Sequence, residues 1–485
     1  MDVPPGKGYT MRSIFRHSLL VVAVMLATAA PALSQLTVPA YNSRPGAAYT
    51  LYLNFTGFSF TGTWGGSGLS PGVTPAYDTD GNTASFSATE LTNIQRVWAA
   101  TAEKYAPFNV NVTTVDPAPV AFTAPQKQAF YDQTPRLMHT VIGGTGSWSG
   151  GGGYSYLNVA QFSYGTSGNG GAGQGWKTNW AYSALAPTNL KFVAEVTSHE
   201  NGHGMGLSHQ SDITPAGSFI TTYSGGNWTT TGALGGNGTV APVMGNSYYA
   251  QRGTFRNGTY EGGTAGAFQN DAAVIQSNGG IGNFTNDNIG RSVLTATAMP
   301  MNGSSINFSV AKGTIVPVNN TNPNPIGASN YHSGYYSFST TGGLVTVNLV
   351  SGSSYITPGV ADPGSATLDG SLFILDSLGG ILFSANTITL GETISQNLAA
   401  GNYFVQVSSA GGKTLSSLNN PGAAQSQYYD MGSYFLTGFI PTAVPEPTTV
   451  ALCGLTVVGM GYGAWRVRRQ KKMEMDVDVR MDASV

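Results

Sequence analysis

Cysteine is nearly absent from this chain. The single one, Cys453, falls inside an apolar stretch near the C-terminus. No disulfide can brace the remainder, so packing and any bound ions must hold it. Charge is scarce too, at 9% of 485 residues, and the net charge of −2 offers no electrostatic case for a nucleic-acid partner. Long apolar runs are confined to the two ends. What is abundant is glycine, 66 residues, with much Ser, Thr and Asn. That balance suits an exported protein of strands and loops and argues against a helical cytosolic enzyme. The length allows two or three domains, each with its own core.

The most informative stretch is His199-Glu200-Asn201-Gly202-His203-Gly204-Met205-Gly206-Leu207-Ser208-His209. On a helix, His199 and His203 project from one face a turn apart, close enough to share a metal ion. Glu200 lies beside that face and can reach a metal-bound water without ligating the metal. Gly206 can adopt a left-handed conformation that ends the helix and swings His209 round as a third imidazole. Three neutral nitrogens leave one position open, which is the pattern of a catalytic rather than a structural zinc site.

The extended pattern resembles the metzincin clan of zinc endopeptidases, in which H-E-x-x-H-x-x-G-x-x-H is followed by a Met-turn. The Met-turn candidate is Ala241-Pro242-Val243-Met244-Gly245, with Met244 placed 35 residues after His209. The segment from Trp98 to Pro117 is also similar to secreted bacterial members. The resemblance implies an α/β (α+β) catalytic domain with a twisted mixed sheet and a zinc-binding helix. It further implies one catalytic Zn2+ on His199, His203 and His209, Glu200 as general base towards the zinc-bound water, and a protein or peptide substrate. In some subfamilies a tyrosine two residues after the methionine approaches the zinc; that position is Asn246, so no tyrosine ligand is expected. With no second thiol, a cysteine-switch prosegment is excluded.

Taken in order, residues 1–34 read as a secretory signal: Lys7, Arg12 and Arg16, an apolar run from Leu19 to Ala30, then Ala32-Leu33-Ser34 before Gln35. Residues 35–289 read as the metallopeptidase-like domain. Tyr49 to Phe60 begins as an alternating strand. Ser87 to Glu90 is a capping box opening a helix on Leu91, Ile94, Trp98, Ala102 and Tyr105, stopped by Pro107. Strands follow at Phe108–Val112 and Leu137–Ile142, the zinc helix at Lys191–His203, and a closing helix at Ala267–Gln276. Asp78 and Asp80 form either a solvated turn or a Ca2+ site. Within the glycine-dense loop 143–175, the metzincin resemblance points to Tyr154–Val159 as an edge strand that pairs with substrate, through Tyr154, Tyr156 and Leu157. An ordinary mobile loop is the other reading.

Residues 290–441 change to short alternating strands between Gly/Asn/Ser turns, which read as an all-β sandwich. Leu368-Asp369, Leu375–Gly379 and Gly401–Val405 resemble the bacterial pre-peptidase C-terminal type of domain; Asp369 and Asp376 there are turn carboxylates or calcium ligands. Residues 442–485 hold Val444-Pro445-Glu446-Pro447, an apolar run from Thr448 to Trp465, then Arg466, Arg468, Arg469, Lys471 and Lys472. The order resembles the PEP-CTERM sorting signal of Gram-negative bacteria, departing from it in the extra tail Met473–Val485. It implies a transient inner-membrane anchor, processing by an exosortase-type membrane protease, and delivery to the cell surface or extracellular matrix. A simple C-terminal membrane anchor is the alternative. The function expected is thus a secreted or surface zinc endopeptidase. A non-catalytic surface adhesin or carbohydrate-binding protein is the rival, disfavoured because a structural zinc site needs no carboxylate at Glu200.

Overall fold

The alternation that starts at Tyr49 builds a strand, but a shorter one than expected, and with both faces covered. Tyr49–Asn54 (β1) is buried almost throughout, because the sheet it joins is packed on two sides. Leu51 and Leu53 enter the larger core with Val112, Met138 and Val193, whereas Tyr52 enters a second, aromatic core with Tyr131, Val141 and Trp180. The structure is a computed structural model that describes residues 36–165, 171, 173–225, 240–248, 250–264, 266–278, 280–321, 323–352, 365–387, 390–415, 422–442 and 465–472. The expected export signal and the Pro-Glu-Pro segment with its apolar run lie outside the described residues. Among the described residues, no helix is long and apolar enough to cross a membrane.

The first half is mixed α/β. Helix α1 (Ala88–Tyr105) opens on the Ser87–Glu90 capping box and leads into β2 (Val110–Thr113). Then come α2 (Ala124–Gln133), β3 (Leu137–Ile142), β4 (Gly153–Tyr154), β5 (Thr178–Ala181) and α3 (Leu190–Gly204). The sheet runs β2-β1-β3-β5-β4, parallel except for β4, which pairs antiparallel with β5 at the edge. Helix α1 packs on β2 through the Trp98 indole N–H, which donates to Val112 O at 2.9 Å. It meets α3 where the Tyr105 hydroxyl donates to Ser198 O at 2.7 Å. Buried Lys104 adds an ion pair with Glu195 of α3 at 2.9 Å. The glutamate also receives Lys191 at 2.8 Å and the Ser247 hydroxyl at 2.6 Å. Burial alone would raise the Glu195 carboxyl; the two lysines overcome it and hold the group down at about 2.

After α3 come β6 (Val240–Pro242), β7 (Arg252–Thr254), β8 (Arg256–Thr259), β9 (Phe268–Asn270) and α4 (Asp271–Ser277). The helix expected over Ala267–Gln276 therefore starts late. Its first residues pair with β8 as β9, and Asn270 caps α4 by accepting from Ala273 N–H.

The C-terminal half is strand-rich. Its main strands are β10 (Gly334–Thr340), β11 (Gly343–Ser351), β12 (Gly370–Leu375), β13 (Ile381–Ala385), β14 (Gly391–Leu398), β15 (Gly401–Ser409), β16 (Lys413–Leu415), β17 (Ser426–Tyr428) and β18 (Gly432–Phe439). One sheet contains β10-β15-β12-β13 and the other β18-β11-β14, all antiparallel. Alternating side chains such as Tyr336, Leu372 and Val405 from one sheet share a core with Val347, Leu349 and Leu436 from the other, a β-sandwich-like arrangement.

The two halves are joined by more than a linker. A four-stranded sheet runs β9-β8-β17-β16, so strands on both sides of residue 290 form one ladder, with Arg256 opposite Tyr428. Buried polar contacts reinforce it. Arg252 pairs with Asp430 at 2.8 Å, and the Glu103 carboxylate accepts from Ser433 N–H at 2.8 Å and the Thr367 hydroxyl at 2.9 Å. Asp369 lies 3.8 Å from Arg252, and Asp376 accepts the N–H groups of its own turn, so of the two readings open for these aspartates the turn carboxylate describes Asp376, while Asp369 sits beside a buried guanidinium.

Removing one partner of a buried ion pair strands the other charge. Asp430→Ala is expected to lower unfolding free energy by about 3–5 kcal/mol, measured by denaturant titration; a change within error would refute this role. The depressed Glu195 carboxyl stabilises the fold fully above its unfolded value near 4.5, and that contribution is lost as pH falls towards 2. In Glu195→Gln, the fall in stability between pH 4.5 and 2 should be shallower than in the parent, read from thermal melts across that range.

Candidate metal centre

Helix α3 brings the first two histidines together. Asn189 caps its N-terminus by accepting from Phe192 N–H, and Val193 and Val196 fix its buried face. Met205 ends it and Gly206 takes φ +98, a conformation that strains any residue bearing a Cβ. The chain reverses there, with Leu207 N–H bonded to Gly202 O at 3.0 Å, and returns His209 to the helix.

The ligand nitrogens of His199, His203 and His209 lie within 4.8 Å of one another, an arrangement that could hold a metal ion. Each Nδ1 faces an oxygen: Val243 O for His199 at 2.8 Å, Leu207 O for His203 at 2.6 Å, and the Glu261 carboxylate for His209 at 2.5 Å. All three acceptors require the proton on Nδ1, which leaves the Nε2 lone pairs bare and convergent. His203 Nε2 and His209 Nε2 are only 3.1 Å apart. Two lone pairs at that separation repel unless a cation lies between them. Nitrogens sharing a tetrahedral zinc at about 2.0–2.1 Å sit about 3.3 Å apart, so the donor set fits that ion. Burial, then the neighbouring imidazole of His209, holds His199 down at about 4, and burial holds His203 well below its ordinary value. Both are neutral, as ligands must be.

The imidazoles open onto a cavity of about 680 Å³ that also contains Glu200, Tyr154, Leu157, Tyr223 and Tyr248. Glu200 is nearly buried, and burial pushes its carboxyl well above the usual range. The opposite rim is Gly150 to Gly153. A Cβ on Gly153 would lie 2.5 Å from Glu200 Oε1 and 2.5 Å from Trp180 O, so glycine at this point of β4 makes room for the carboxylate. Met244 is fully buried, its sulfur against Gly202 between the first two histidines, and its carbonyl accepts from Gln210 N–H at 2.7 Å.

Other expected residues divide. Tyr154 and Leu157 line the cavity. Tyr156 does not: its ring packs on Trp64 at 4.2 Å and its hydroxyl donates to Trp64 O, because the aromatic core captures it. Strand geometry stops at Tyr154, well short of Val159, and the chain turns through Asn158 at φ +57. Asp78, Asp80 and Glu90 do cluster, but Asp78 Oδ1 already accepts three backbone N–H groups of its own turn, and Glu90 is held by Thr79 and Ser87. Two residues that spacing did not indicate are Tyr223, whose ring lies 4.5 Å from that of His209, and Glu261. Both sit in the Gly/Thr-rich region beyond His209, where no periodicity marks them.

No protein family matches the chain, and no curated protein matches it. Among solved structures, it is similar to the pre-peptidase C-terminal domain of collagenase from Bacillus anthracis. The identity is 13%, over 28% of this chain and 86% of that one, with a TM-score of 0.15. At that score the likeness carries no argument about fold or function.

Proposed function

We propose that this chain is an exported zinc-dependent endopeptidase whose first half is a metzincin-like catalytic domain. The observation that carries the reading is the convergence of three Nδ1-anchored imidazoles on one point, with Glu200 in the same cavity. When bound there, zinc supplies Lewis acidity, polarising a carbonyl and making water nucleophilic near neutral pH. His199, His203 and His209 hold it through Nε2. Glu200, in the same cavity, would take the proton from the attacking water and deliver it to the departing amine.

The cavity suits an extended peptide. Strand β4 is paired on one side only, so its other edge offers backbone donors and acceptors to a substrate strand. The bare rim from Gly150 to Gly153 lets a second backbone approach closely. Tyr154 and Leu157, about half exposed, flank that path. The placement of Met244 against Gly202 further supports the metzincin reading. Export and surface delivery rest on the terminal sequence signals.

Glu200→Gln is expected to retain zinc while losing casein hydrolysis by a factor of about 10²–10⁴, compared by zymogram and metal analysis with and without chelator. Full activity in that variant, or activity indifferent to chelator, would refute the reading. Gly153→Ala should displace the Glu200 carboxylate and lower turnover on the order of 10²-fold at unchanged zinc content; a wild-type rate would show that the glycine serves another purpose.

A further inference from the structure

The three imidazoles are not held alike. His199 and His203 stand on helix α3 and donate from Nδ1 to main-chain carbonyls, Val243 O and Leu207 O. His209 stands on irregular chain beyond the helix, and its Nδ1 meets a carboxylate 52 positions away, Glu261 Oε2, at 2.5 Å. Glu261 also grips the backbone of the same histidine, its N–H donating to His209 O at 2.9 Å. Gln210 and Tyr260 form a β-bridge between these contacts, and Ser211 N–H donates to Thr259 O at 3.0 Å. The pairing thus sets the His209 backbone while the carboxylate sets its ring.

From this geometry we infer that Glu261 is a positioning residue that orients His209 and strengthens it as a metal ligand. The inference rests on the metal-site reading above. An anionic acceptor on the far nitrogen forms a stronger hydrogen bond than a carbonyl and pushes electron density towards Nε2. It also selects the tautomer with Nε2 bare, for the one histidine that no helix orients. Glu261 does this from a half-exposed position, its side chain retaining 51% of its accessible surface. It is therefore not needed to fill the core, and its substitution leaves the fold standing. The flanking strand β8 is paired with both β9 and β17, and the Glu261 N–H to His209 O bond anchors the backbone that carries the carboxylate.

The test is the zinc dissociation constant of the full exported chain by competition with a chromogenic chelator, for the parent, Glu261→Ala and Glu261→Gln. Thermal melts of each zinc-free protein run in parallel. Glu261→Ala is expected to bind zinc about 10–100-fold more weakly with an unchanged zinc-free melt. Glu261→Gln, whose amide oxygen still accepts from Nδ1, should recover part of the loss. Parent-like affinity in Glu261→Ala overturns the inference. So does weakening accompanied by a lowered zinc-free melt and no recovery in Glu261→Gln, which marks a structural role. A parent protein that takes up no zinc overturns the metal reading itself, a result distinct from the other two.

Discussion

Three hydrogen bonds, made on the side of the imidazoles that faces away from the cavity, organise the candidate metal centre. Val243 O, Leu207 O and the Glu261 carboxylate each claim an Nδ1 proton. By doing so they decide what the opposite nitrogens can be: acceptors, unprotonated, crowded about a single point. The protein meets the repulsion of that crowding with neighbouring structure. The turn at Gly206, the buried Met244 and the strand pairing at Tyr260 each fix one approach. Three donors oriented in this way could hold a metal ion with little rearrangement of their side chains.

The same elements carry the load of the fold. Helix α3 is tied by Glu195 to α1 through Lys104 and to the segment after Met244 through Ser247. One residue before Lys104 on α1, Glu103 reaches residues of the C-terminal half. A short buried polar network therefore runs from the metal helix to the sandwich-like sheets. Such networks bring modest net stability, because desolvation offsets much of the Coulomb gain, but they tolerate few alternative arrangements. In a chain whose single cysteine rules out an internal disulfide, these buried contacts and the shared ladder tie the two halves together.

The parts that were legible in the sequence are those encoded over short spans. The Ser87–Glu90 capping box, the i, i+4 histidines and Gly206 each act within a turn or two, and each has its structural counterpart. Helix α2 was missed because its apolar residues lack a clear stripe, although Thr123 and Gln126 form a capping box that marks its start. Strand β5 was missed because Thr178-Asn179-Trp180-Ala181 is short and half polar; its neighbours in the sheet, not its composition, make it a strand. Tyr156 lies in the stretch that the metzincin resemblance implied as a substrate-pairing strand, with an ordinary loop as the other reading; its ring packs on Trp64, a partner 92 positions away that local pattern does not reveal. Glu261 and the ladder between β8 and β17 depend on pairings across tens to hundreds of residues, where local pattern has nothing to say.

That ladder has a consequence for synthesis. On one flank of β8, Arg256 and Asn257 pair with Tyr428 and Gln427, roughly 170 positions later. A ribosome releases residues in order, so β8 has no neighbour on that flank until nearly the whole polypeptide has emerged. Contacts of such long sequence separation form late and slowly. The strand leading to Glu261 therefore gains its second neighbour, the one from the C-terminal half, only when translation is almost complete.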